Sequence, residues 1–133
     1  TMKARLNIGS VTMPAGTYWI GDPCYSVPDS RWMEWLEAAD YMNEPRYLLA
    51  ELDGKPVLGI GTAYGDGTYR GTDGHEYMVD AGLIGLVPVE LTDREEGKDA
   101  FRVTFDCDFE CSYDEGVIKI GHIKIDTSGD DES

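Results

Sequence analysis

Residues 101 to 113, Phe-Arg-Val-Thr-Phe-Asp-Cys-Asp-Phe-Glu-Cys-Ser-Tyr, alternate apolar and polar positions without interruption. Phe101, Val103, Phe105, Cys107, Phe109, Cys111 and Tyr113 fall on one side, and Arg102, Thr104, Asp106, Asp108, Glu110 and Ser112 on the other. Successive side chains of a strand point to opposite faces, so this segment predicts one long strand with an oily side and an acidic side. The same period marks a first strand over residues 3–13 and a second over 17–20, separated by the Pro14-Ala15-Gly16 turn. One segment carries the helical period instead. Trp32, Trp35, Leu36, Ala39 and Met42 trace an i, i+3, i+4, i+7 stripe, which predicts a helix over 29–42 with Ser26 and Asp29 where a cap belongs.

The remainder reads as β. Strands at 46–52 and 57–63 flank Asp53-Gly54, and Thr72-Asp73-Gly74 turns between 68–69 and 76–79. Pro88 inside 83–91 places that strand at an edge or marks its end, because proline cannot donate to a ladder. Residues 92–100 form a charged loop, and the long strand pairs with 117–125 across Asp114-Glu115-Gly116. In that last segment Ile118 and Ile120, then Ile123 and Ile125, point inward, so the phase slips by one at Gly121 and predicts a bulge. Lys119 then faces Ser112, His122 faces Glu110, and Lys124 faces Asp108, which partly neutralises the acidic side from within. The expected fold is α+β. It is a predominantly antiparallel sheet of about seven or eight strands, a sandwich or partial barrel, with one amphipathic helix packed on it. Residues 1–125 make one domain, and 126–133 a flexible acidic tail.

Charge narrows the function. The chain holds 26 acids against 11 Lys and Arg, a net of -15, and residues 90–133 contribute -9 of it. Duplexes and anionic membranes bind through Lys and Arg, so direct nucleic-acid or membrane binding is not expected. A basic protein partner suits the charge. Alternate strand residues stand about 6.8 Å apart, comparable to phosphates along a nucleic-acid strand. Asp106, Asp108 and Glu110, with Asp114, Glu115, Glu95 and Glu96, therefore form the expected partner-binding surface, an imitation of a phosphate ladder. The alternative is a solvated face that serves only the fold. Cys107 and Cys111 lie about 13 Å apart on one strand, too far to bridge, and three cysteines leave an odd thiol. A reducing, cytoplasmic setting follows, and no apolar run reaches the roughly 20 residues a membrane helix needs.

Enzyme chemistry has little support. Gly21-Asp22-Pro23-Cys24-Tyr25 holds a cysteine at a rigid corner, but His75 and His122 are the sole bases and neither sits in a cysteine-hydrolase context. A structural corner is the stronger reading. Tyr64-Gly65-Asp66-Gly67-Thr68-Tyr69 offers glycine amides and aromatic faces, without the strand-to-helix setting of a dinucleotide fingerprint. Asp80, between apolar neighbours, is expected to be partly buried and to cap backbone amides. Together Asp22, Cys24, Tyr25, Tyr64, Asp66, Tyr69 and Asp80 define the alternative function, a pocket for a small ligand or nucleotide. No cofactor and no metal is expected, since the His and Cys spacings match no ligand set.

Three segments, Gly16 to Tyr25, Thr62 to Tyr69 and Val79 to Pro88, resemble a group of small uncharacterised proteins of bacteriophages and bacteria. The resemblance implies a compact, mostly β domain from a mobile-element setting and carries no reaction or ligand with it. Joined to the charge, it favours a non-enzymatic accessory protein that blocks a basic site on a host defence or nucleic-acid-handling protein.

Overall fold

The computed structural model describes residues 4–7, 9–43 and 46–128. Three early strands, β1 (Arg5–Asn7), β2 (Ser10–Met13) and β3 (Gly16–Gly21), precede the single α-helix, α1 (Asp29–Ala38). Hairpins follow: β4 (Tyr47–Leu52) with β5 (Lys55–Gly61), then β6 (Gly67–Arg70) with β7 (Glu76–Val79). The chain ends with β8 (Leu83–Pro88), β9 (Ala100–Phe105), β10 (Phe109–Asp114), β11 (Val117–Ile120) and β12 (Ile123–Asp126). They assemble into two open five-stranded antiparallel sheets and a two-stranded ribbon. The central sheet has the order β4-β5-β8-β3-β9, the outer sheet β1-β2-β10-β11-β12, and β6-β7 is the ribbon. The expected sandwich with one helix is therefore present, with more strands than the seven or eight expected.

Alternation explains the layering. Tyr18, Ile20, Leu58, Ile60, Ile84 and Leu86 point from the central sheet toward Val11, Met13, Cys111, Ile118, Ile120 and Ile125 of the outer sheet, and this is the main core. The intervening residues Trp19, Val57, Leu83 and Val87 point the opposite way, against Trp35 and Ala39 at the foot of α1. The central sheet is thus covered on both sides, which is why every residue of β8 is buried. Glycines make room on the helix side. Gly59, Gly85 and Gly21 stand side by side across β5, β8 and β3. Above Gly59 the Trp35 ring and Pro23 come within 3.0 and 3.5 Å of where a Cβ would lie. Trp35 then donates its indole N–H to the Val57 carbonyl at 3.1 Å.

The long strand is two strands. Residues 101–113 are divided at Asp106-Cys107-Asp108, with β9 on the edge of the central sheet and β10 inside the outer one. Phe105 and Phe109 are both buried and stack at 3.7 Å, so the chain turns the sandwich corner around this pair. A corner preserves the alternation of the flanking strands, and the pattern alone does not distinguish the two. It turns Cys107 out to solvent, against expectation.

Gly121 is likewise no bulge. Ile120 pairs with Ile123, which makes Gly121-His122 a two-residue hairpin turn with Gly121 at φ 57°. Lys119 does oppose Ser112, but Lys124 opposes Lys119 rather than Asp108, and His122 sits in the turn.

Smaller corrections share one cause, local turn chemistry. The first strand breaks at Gly9 (φ 81°) into β1 and β2. The helix stops at Ala38, shortly before Asp40 at φ 58°, and leaves Met42 exposed. Its N-cap residue is Pro28, with no side-chain cap from Ser26 or Asp29. Pro88 marks a strand end, one of its two expected places, although β8 is central and not at an edge. The boundary at 125 falls inside β12, and Thr127 beyond it is fully buried, donating to the Gly116 carbonyl at 2.6 Å. The acidic residues Asp130, Asp131 and Glu132 lie outside the described residues.

At Gly85 a Cβ would overlap the Leu58 carbonyl oxygen. Gly85→Ala is expected to cost at least about 3 kcal/mol through backbone displacement in a sheet packed on both faces, read as a lowered urea midpoint.

Candidate functional site

The segments containing Asp22, Asp80 and Asp66 converge, but around the carboxylate of Asp22. That residue is 1% exposed. One oxygen accepts the Cys24 amide at 3.0 Å, and the other accepts the Asp80 and Ala81 amides at 2.9 and 2.7 Å. Three N–H groups thus replace water around a buried charge. Asp80, expected to be the buried acid, has an exposed side chain and supplies an amide donor instead. The inversion follows from chain geometry. Asp22 caps the 3-10 turn Pro23–Tyr25 and faces inward where β3 ends, whereas Asp80 occupies the outside of the β7–β8 bend.

Around this carboxylate the chemistry is inert. Burial, then the neighbouring Asp22 charge, pushes the Cys24 thiol up to about 12. Burial, then the Asp80 carboxylate, pushes the Tyr25 hydroxyl up to about 12. A thiol that keeps its proton is not a nucleophile. The Tyr64–Tyr69 loop folds against the same corner. Thr62 and Tyr69 hydroxyls both donate to the Gly65 carbonyl, at 2.7 and 3.1 Å, and Gly82 lies against Gly65 and Asp66. Tyr69 is buried by this, and Tyr64 projects into solvent at 67% exposure. The corner is a knot of turns tied by backbone amides. Among the described residues no group of three or more His, Cys, Asp or Glu is placed to hold a metal.

The acids expected to form one surface are dispersed. Glu95 and Glu96 lie beside the start of β9, where Glu96 accepts the Arg102 amide at 3.0 Å and Arg94 pairs with Asp99. Asp106 and Asp108 sit at the corner beyond the other end of β9, about 17 Å away by strand rise. Glu110 projects from the outer sheet, and Asp114 and Glu115 occupy the far turn of β10. On that outer sheet Lys119 and Lys124 stand side by side near them. The ladder with a phosphate-like spacing therefore does not exist, because two of its rungs lie in the irregular corner.

One of those acids takes part in a different arrangement. A cleft of about 350 Å³ opens at the end of the central sheet, where the start of β3, the β4–β5 turn and the end of β8 meet. Three prolines, Pro14, Pro56 and Pro88, line it, with Glu51, Glu90, Lys55 and Tyr18. Asp108 hangs from its rim by accepting the Ala15 amide at 3.1 Å. Tyr18 is held by its hydroxyl, which donates to the Pro14 carbonyl at 2.6 Å. Its proton is held far above the usual phenol range, first by burial and then by the fields of Cys111, Glu90 and Asp108. Glu51 and Glu90 escaped sequence reasoning, since they lie 39 positions apart in unremarkable strand-end settings. The available signal was a proline at each of three strand ends.

Among the described residues, Glu34, Asp53, Glu76 and Asp99 pair with arginine and Asp73 with His75, and the cleft acids have no ion pair. No helix of the described residues is long and apolar enough to cross a membrane.

Two outcomes are expected. Asp22→Ala, which orphans three amides, is expected to cost about 3 kcal/mol by urea unfolding. All three cysteines are free, and burial also pushes the Cys111 thiol up to about 12. Iodoacetamide at pH 8 is therefore expected to label Cys107 on the native protein, with Cys24 and Cys111 following only in denaturant or as the pH approaches 12; mass mapping of labelled peptides checks it. Comparison of the chain with known protein families, with characterised proteins and with solved structures gave no match.

Proposed function

We propose that this protein acts by binding, presenting an acidic surface to a basic partner protein, with the proline-walled cleft as the seat for an arginine side chain. The observation that carries this reading is that Glu51 and Glu90 line one cleft with a single lysine, Lys55, while Asp108 is bonded to the Ala15 amide of its wall. A guanidinium suits such a place. It is weakly hydrated, it lies flat against apolar and aromatic surfaces, and it pairs with carboxylates through a fork of donors. The net charge of -15 steers a cationic partner inward from beyond contact range. A host defence or nucleic-acid-handling protein, with Lys and Arg lining its groove, has the required chemistry.

The reading as a small-ligand pocket at the Asp22 corner finds less support, because the inward groups there are already satisfied by one another. A cysteine enzyme finds less still, given the raised Cys24 thiol.

A fluorescent peptide of alternating arginine and serine serves as probe. Its affinity is expected to fall steeply between 50 and 500 mM salt. Glu51→Gln with Glu90→Gln and Asp108→Asn is expected to weaken binding about tenfold. Glu37→Gln with Asp114→Asn and Glu115→Gln removes the same charge elsewhere and is expected to change it about twofold at most. Equal losses from the two triple variants would reduce the effect to bulk charge and remove the cleft from the account.

A further inference from the structure

A second depression lies between the β6–β7 ribbon and the edge strand β9. Its volume is about 900 Å³, and Thr68, Arg70, His75, Glu76, Glu96, Lys98 and Phe101 contribute to its lining. The surrounding groups are unusual for a chain with this charge. Arg70 and His75 come from the ribbon, Lys98 from the loop before β9, and they converge on one concave surface. Two acids share the lining: Glu76 pairs with Arg70 at 3.0 Å, and Glu96 accepts the Arg102 amide at 3.0 Å. The cations are not saturated. Arg70 is bonded through one nitrogen, its side chain 73% exposed, and Lys98 has no ion pair among the described residues.

His75 is held in a fixed attitude. Its ring stacks on Phe101 at 3.8 Å with the planes 1° apart. Its Nδ1 meets the Asp73 carboxylate at 3.1 Å, and its backbone amide donates to the other Asp73 oxygen at 3.1 Å. The Tyr77 hydroxyl donates to that same carboxylate from the core side. The Asp73 side chain is only 17% exposed, and its carboxylate fixes which way Nδ1 faces. With Nδ1 committed, Nε2 has no hydrogen-bond partner among the described residues, and the imidazole is 44% exposed. Such bracing fixes a donor direction. The fold alone does not call for it in a half-exposed ring.

We propose that this depression binds a tetrahedral oxyanion, the phosphoryl group of a small molecule, through Nε2–H of protonated His75, the free guanidinium nitrogens of Arg70 and the Lys98 ammonium. Three cationic donors from separate directions match a group whose oxygens diverge, whereas a planar carboxylate is satisfied by one fork. Asp73, Tyr77, Arg70, Glu76, Glu96 and Lys98 are the titratable and charged groups that face the ring or line the depression beside it. With Nδ1 facing Asp73, Nε2 can donate only from the protonated ring, so anion binding and proton uptake by His75 are linked and binding weakens as pH rises.

Titration calorimetry with inorganic phosphate, sulfate and acetate at low salt tests this. Sulfate keeps its charge across pH 6 to 8, so any change with pH belongs to the protein. Sulfate affinity is expected to fall about fivefold from pH 6 to pH 8, with phosphate also bound at pH 6 and acetate at least about tenfold weaker. Arg70→Gln with Lys98→Gln, both on solvent-facing side chains, is expected to weaken sulfate about tenfold. His75→Phe is expected to keep the stack on Phe101 and abolish the pH difference. Lys119→Gln, on the outer sheet, leaves the affinity unchanged. Absence of binding heat from sulfate at pH 6, indifference to the Arg70/Lys98 double variant, or acetate bound as tightly as sulfate would each overturn the assignment. Should His75→Phe melt early, the Arg70/Lys98 variant and the pH series still decide it. The arginine-peptide experiment is independent of all these outcomes.

Discussion

Gly85 sits in β8, the strand of the central sheet that is buried on both faces. The outer sheet covers one face and α1 with the Pro23–Tyr25 turn covers the other, so the strands beside it must present apolar side chains both ways. Two covers can approach only where the sheet is thin. The row Gly59, Gly85, Gly21 supplies the thinning, and Trp35 fills the space it leaves. Hydrophobic burial then drives both layers onto one scaffold, and the remaining chain is placed by where those strands end.

That constraint decides where polar chemistry is permitted. With both faces of the central sheet committed, functional groups are confined to its ends and edges. The Asp22 corner, the proline cleft and the His75 depression occupy three such places. At the corner a buried carboxylate is balanced by three amides and closes the structure. At the cleft, strand ends terminate in prolines and bring carboxylates together from distant positions. At the β9 edge, a ribbon folds over and leaves a concave surface beside an imidazole. The first satisfies itself. The other two hold charged groups with spare bonding capacity, and binding readings attach to those.

The electrostatics follow the same division. Among the described acids Asp22 alone is buried, so nearly all the negative charge reaches solvent. A diffuse negative field attracts cations of any kind, and only local geometry converts it into recognition. The cleft sets Glu51 and Glu90 beside one lysine, whereas the ribbon depression mixes Arg70, His75 and Lys98 with Glu76 and Glu96.

Much of the fold was legible in the chain. Period-two alternation located nearly every strand, the Trp32 and Trp35 stripe located the helix, and Asp53-Gly54 and Asp114-Glu115-Gly116 located two hairpins, because these signals are local and backbone geometry enforces them. Tertiary packing alone decided the rest. Whether alternation through residues 101–113 is one strand or a corner depends on what Phe105 and Phe109 meet, and a regular pattern is compatible with either. Whether Asp22 or Asp80 is the buried acid depends on which side of a bend each occupies. The cleft of Glu51, Glu90 and Asp108 joins residues far apart in sequence, as does the stack of His75 on Phe101. Periodicity reports which face a residue takes within its own strand; it is silent on which strands become neighbours, since that choice is made by long-range burial.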